Sequence, residues 1–120
     1  MIELPKEEYI QRDGKTYCTM RQQILHCIGL NDSCSHRHKP YIRHGRKFYK
    51  PWRNYFSSNR NDKTWEPLVA EGLAGKRDYT TRVRYNGEDH AVDGTTYWLT
   101  RKGLDWLGNQ LGITIQDEED

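Results

Sequence analysis

Residues 79–99 read Tyr79-Thr80-Thr81-Arg82-Val83-Arg84-Tyr85-Asn86-Gly87-Glu88-Asp89-His90-Ala91-Val92-Asp93-Gly94-Thr95-Thr96-Tyr97-Trp98-Leu99. The first seven alternate in the period-two manner of a strand, and Asn86-Gly87 suits a type I′ hairpin, whose two central residues both need positive φ. Asp93-Gly94 offers a second such turn after a strand from Glu88 to Val92, leading into a third strand from Thr95 to Leu99. With both turns tight, Val83, His90 and Tyr97 lie side by side, and Thr81, Tyr85, Val92 and Leu99 share their face. That face is expected to be buried. Arg82, Arg84, Asp89 and Trp98 project on the other, with Arg84 across from Asp89.

Working outward, helices flank this meander. Met20, Ile24, Cys27 and Ile28 follow Tyr17 at helical spacing, and Gly29 stands where a left-handed cap ends a helix. Pro51 can open a short helix through Trp52 to Phe56. Asn61 or Asp62 can cap another carrying Trp65, Leu68, Val69 and Leu73, with Gly72 at its end. Thr100 can cap the last, whose stripe is Leu104, Leu107 and Leu111 and whose end is Gly112. Residues 1–15 read as an irregular segment, 16–112 as one domain with a basic insertion over 31–60, and 113–120 as an acidic, unstructured tail. The fold class expected is α+β and winged-helix-like: three to four short helices with a two- or three-stranded antiparallel hairpin or meander.

The composition fits one small domain. Of 120 residues, 34% are hydrophobic, and 19 Lys+Arg stand against 17 Asp+Glu for a net charge of +2. Leu, Ile, Val and Phe are few, so the eight Tyr and four Trp must supply much of the core. Three cysteines are too few for a disulfide scaffold and agree with a reducing compartment. No stretch resembles a signal peptide or a membrane span, so the expected location is cytoplasmic, with no membrane partner.

Charge is unevenly placed. From His36 to Lys63 there are nine basic residues and one acid, Asp62, while four acids close the chain at Asp117, Glu118, Glu119 and Asp120. The basic block is interleaved with Tyr41, Phe48, Tyr49, Trp52, Tyr55 and Phe56, which pairs phosphate-neutralising cations with stacking rings. The expected nucleic-acid-binding residues are Arg37, Lys39, Arg43, Arg46, Lys47, Lys50 and Arg53 in the insertion and Arg82 and Arg84 on the hairpin. A solvated loop with core aromatics is the competing structural reading.

Leu68-Val69-Ala70-Glu71-Gly72-Leu73-Ala74, then a hairpin, then Tyr97-Trp98-Leu99-Thr100-Arg101-Lys102-Gly103-Leu104 resembles the junction of recognition helix, wing and following helix in MarR-type and PadR-type winged-helix regulators. The chain is also similar to small phage- and prophage-encoded proteins, through His26-Cys27-Ile28-Gly29-Leu30, Arg53-Asn54-Tyr55-Phe56 and Leu68 to Leu73. These resemblances imply a wing-bearing fold in a phage-linked bacterial cytoplasm and no known reaction. The chain departs from a regulator where bases are read. Its third helix exposes Lys63, Thr64, Glu66, Ala70 and Glu71, and two glutamates there repel phosphate, so any contact is expected to be backbone-led and of low sequence specificity.

Other chemistry finds little support. Cys27, Cys34, His36 and His38 form C-x6-C-x-H-x-H, a poor spacing for zinc, and Cys27 lies on a core stripe. Neither a P-loop nor a hydrolase or dinucleotide fingerprint is present, and no paired acidic metal ligands accompany the histidines. No enzymatic activity, metal or cofactor is expected, and a small-molecule substrate is not favoured. The partner expected is nucleic acid, DNA before RNA. The rival is a phage counter-defence inhibitor, anti-CRISPR-like, that docks on a host nucleic-acid-handling protein complex with carboxylates standing in for phosphates. A monomer is favoured, because no long extra helix is available for dimerisation.

Overall fold

The computed structural model describes residues 2–30 and 39–116. Among these, eight strands in three sheets and three helices alternate in the order β1 (Tyr9–Arg12), β2 (Lys15–Cys18), α1 (Met20–Ile28), β3 (Tyr41–Arg43), β4 (Arg46–Tyr49), β5 (Phe56–Ser58), α2 (Glu66–Ala70), β6 (Ala74–Tyr85), β7 (Glu88–Leu99), α3 (Arg101–Leu111) and β8 (Thr114–Ile115). The mixed α+β class holds, but strand predominates over helix. The winged-helix expectation is therefore overturned. The element that would read a groove, α2, has five residues and a length of about 7.5 Å.

Three two-residue turns build three antiparallel hairpins. Asp13-Gly14, His44-Gly45 and Asn86-Gly87 all hold positive φ at both positions, 54° and 75°, 54° and 74°, and 52° and 77°. They join β1 to β2, β3 to β4 and β6 to β7. Residues 1–15, expected to be irregular with at most one short strand and a turn signal at Asp13-Gly14, carry β1 and the start of its hairpin. Tyr17, expected on the first helix, sits in β2. The insertion is no plain loop, since β3 and β4 fold inside it.

The second expected turn does not form. β7 runs unbroken through Asp93-Gly94, so the meander is instead one hairpin of two twelve-residue strands. The reason lies across the ribbon: Tyr79 is the cross-strand partner of Gly94, and a Cβ at 94 would lie 2.5 Å from its ring. The glycine makes room for an aromatic side chain rather than for a bend. The register near the tip is as expected, with Arg84 opposite Asp89 and Val83 opposite His90. The expected burial of the Val83 face is overturned, because Val83, Tyr85 and Val92 are exposed.

The core lies at the base of this hairpin. Trp65 stacks on Tyr97 at 5.5 Å between ring centres, Phe56 packs on Trp65 at 5.6 Å, and His26 meets Phe56 edge-on. Ile24, Leu25, Cys27 and Ile28 of α1 and Leu104 and Leu107 of α3 close around them. The aromatic rings do supply the mass that the aliphatics lack. Both flanking helices end as their glycines imply, at Gly29 (φ 74°) and Gly112 (φ 71°), and the Thr100 hydroxyl accepts the Gly103 N–H at 3.1 Å.

Residues 51–55 form no helix. The Asn54 amide accepts the Leu99 N–H at 2.9 Å and donates to the Leu99 carbonyl at 2.8 Å, extending by a side chain the ladder that β5 makes with β7. The Trp52 indole donates to the Gly29 carbonyl at 3.2 Å. These bonds fix the segment in an irregular course, in place of the helix that Pro51 could start. Thr114–Ile115, expected in an unstructured tail, pairs in parallel with Phe48 and Tyr49, and Ile115 is buried. Arg101 ties this strand to α3 by donating to the Ile115 carbonyl and pairing with Asp105 at 2.7 Å.

Candidate nucleic-acid interface

Cross-strand pairing sets Arg43 directly opposite Arg46 at the tip of β3–β4, and Tyr41 opposite Phe48 two residues further in. Side chains alternate along a strand, so all four project from one face. Tyr41 and Phe48 stack there at 5.8 Å with 20° between planes, and the Tyr41 hydroxyl donates to the Gln116 side chain at 2.7 Å. Lys47 lies on the opposite face with Ile42 and the buried Tyr49, beside an open depression lined by Arg46, Asn109 and Thr114.

The other expected cations are dispersed. Lys39 is exposed just before β3, and Lys50 is exposed just after β4. Arg53 is engaged by its neighbours: its guanidinium lies 4.2 Å from the centre of the Tyr55 ring and 5.5 Å from that of Trp52, and it donates to the Tyr55 carbonyl at 3.1 Å. Arg82 and Arg84 share a face of the β6–β7 hairpin, in a different sheet from Arg43 and Arg46. Arg37 lies outside the described residues. Of the six rings expected for stacking, Tyr41 and Phe48 stack on each other, while Tyr49 is buried and Phe56 packs against the core.

Among the described residues, Arg60 pairs with Asp93, Lys76 with Glu66, Arg101 with Asp105, and His90 with Glu88 when protonated. No carboxylate among them pairs with Arg43, Arg46, Lys47, Arg82 or Arg84. Two like charges facing each other across a hairpin oppose its formation.

Glu66, expected as a phosphate-repelling or phosphate-mimicking carboxylate on an acidic helix, is occupied internally. It receives Lys76 Nζ at 2.7 Å and the Tyr97 hydroxyl at 2.9 Å. The Lys76 hydrogen bond, and after it that of Tyr97, holds the Glu66 carboxyl below its ordinary range. The same bond holds Lys76 above its ordinary value. Burial, ahead of its other neighbours, raises Tyr97.

Cys27 is buried, and that burial pushes its thiol up to about 12, so it stays neutral and packs as a small hydrophobe. Cys34, His36 and His38 lie outside the described residues, and among the described residues no group of three His, Cys, Asp or Glu side chains is placed to hold a metal. Nor is any helix there long and apolar enough to cross a membrane. Set against known protein families, curated proteins and solved structures, the chain finds no match.

Proposed function

We propose that this protein binds nucleic acid, DNA in preference to RNA, through the phosphate backbone and with little sequence preference. The observation that carries the reading is the Arg43 and Arg46 pair, set opposite each other without a carboxylate partner among the described residues, on the face that bears the stacked Tyr41 and Phe48. A guanidinium can meet two phosphate oxygens at once, and a bound polyanion relieves the repulsion between two arginines set opposite each other. Lys39, Lys47 and Lys50 flank the pair along the sequence and add to the local positive field. Arg82 and Arg84, in another sheet, would add contacts only with a ligand long enough to span both.

Fluorescence anisotropy of a labelled duplex over a salt series tests the reading. Affinity should fall steeply from 50 to 200 mM salt, and the double variant Arg43→Ala/Arg46→Ala should flatten the log–log slope by about 1.8, the release expected for two lost phosphate contacts. Shuffling the duplex sequence should leave affinity unchanged within about threefold, since backbone contacts carry no base information. Absence of binding at low salt overturns the proposal.

A further inference from the structure

The β6–β7 hairpin changes its apolar side halfway along. At the base, Leu99, Tyr97 and Thr95 are buried, and alternation puts them on one face of the ribbon with Ala74. Beyond Thr95 that face becomes polar, carrying Asp93, Asp89, Arg82 and Arg84. The apolar side chains of the outer half, Tyr79, Val83, Tyr85 and Val92, stand on the other face, with exposures of 37%, 45%, 67% and 44%. The apolar side of the arm is therefore no continuation of the core.

The outer half also lacks a third strand among the described residues. β5 pairs with β7 only at Thr95 to Tyr97. A two-stranded ribbon is marginal in water unless one face is covered. The molecule measures 57 × 39 × 31 Å, with a radius of gyration of 16.2 Å against about 13.5 Å for a compact domain of this length.

We propose that a second copy of this chain covers this face, the two arms packing face to face and antiparallel about a two-fold axis at the Thr81 and Val92 row. Charge decides for this occupant and orientation. On the apolar face the acid Glu88 lies beside Tyr85 at the tip, and Arg77 lies four rows away towards the base. An antiparallel two-fold brings the Arg77 row of each copy onto the Tyr85 and Glu88 row of the other, giving two ion pairs and a ring beneath each guanidinium. A parallel arrangement would set Arg77 near Arg77 and Glu88 near Glu88. The monomer expectation rested on the absence of a long extra helix for dimerisation, and packing through this face needs no such helix. The face is about 23 Å long and two strands wide, so the pairing buries on the order of 500 Å² in total and forms a weak, concentration-dependent dimer.

Sedimentation equilibrium of the full chain, run up to about 1 mM, tests this, with near-UV circular dichroism confirming that each variant is folded. The wild type should approach a dimer as concentration rises. Arg77→Glu alone and Glu88→Arg alone should each weaken it about tenfold, since two symmetry-related contacts turn from attraction to repulsion. The double swap Arg77→Glu/Glu88→Arg should restore it to within about threefold, a result that loss of folding cannot mimic. Val92→Asp should leave a monomer. A wild type that stays monomeric overturns the proposal, as does a dimer indifferent to all of these changes. Anisotropy on the same variants separates this inference from nucleic-acid binding, because none of them touches Arg43 or Arg46.

Discussion

Asn54 grips Leu99 by both backbone groups at once, taking its N–H at 2.9 Å and giving to its carbonyl at 2.8 Å. A side chain thus does the work of one more residue of β5 at the point where β7 hands over to α3. Cys27 also donates weakly to the same amide oxygen at 3.5 Å, so α1 is tied to the junction.

Asn54→Ala should cost about 2–3 kcal/mol, since it strands a donor and an acceptor in a partly buried place. Asn54→Asp keeps the acceptor for the Leu99 N–H but sets a carboxylate against its carbonyl, and should be no better than alanine. Urea unfolding midpoints at constant slope check both. A loss below about 0.5 kcal/mol for alanine would show that water replaces the amide freely.

A second prediction concerns close approach. A Cβ at Gly103 would fall 1.8 Å from the Leu73 carbonyl oxygen, because the first turn of α3 lies directly on the chain entering β6. Alanine is the better helix former by about 1 kcal/mol, yet Gly103→Ala should destabilise by about 2 kcal/mol or more, as backbone cannot yield like a side chain. Thermal unfolding should show a lower midpoint. A raised midpoint would mean that α3 slides without penalty.

The Lys76, Glu66 and Tyr97 chain contributes to the pH dependence of stability at both ends. Glu66 titrates below its ordinary 4.5, so its contribution is present above that value and lost as pH falls through the lower folded value. Lys76 and Tyr97 titrate above their ordinary 10.5 and 10.0, so theirs are intact below those values and lost as pH rises through the higher folded ones. Glu66→Gln should flatten the acid limb of a stability profile, and Lys76→Met should flatten the alkaline limb. An unchanged acid limb in Glu66→Gln would assign it to other carboxylates.

Local chemistry was legible in the sequence; pairing across distance was not. Gly29, Thr100 and Gly112 act as caps, and Asn86-Gly87 sets the register of Arg84 with Asp89, because each depends on a few adjacent residues. Asp93-Gly94 misleads since the same dipeptide serves a turn or a site for an overlying ring, and only Tyr79 across the ribbon separates the two. The His44-Gly45 turn lies hidden in a charged stretch, with histidine where asparagine or aspartate is usual. Of the interface, Arg43 and Arg46 could be named from charge, but their shared face with Tyr41 and Phe48 depends on the register that this turn imposes.

The parallel pairing of β4 with β8 has a consequence for how the chain matures. Phe48 and Tyr49 wait for Thr114 and Ile115, about 66 positions later, so the arginine-bearing hairpin lacks its third strand while the intervening chain is being made. During synthesis on the ribosome it emerges early and is seated late.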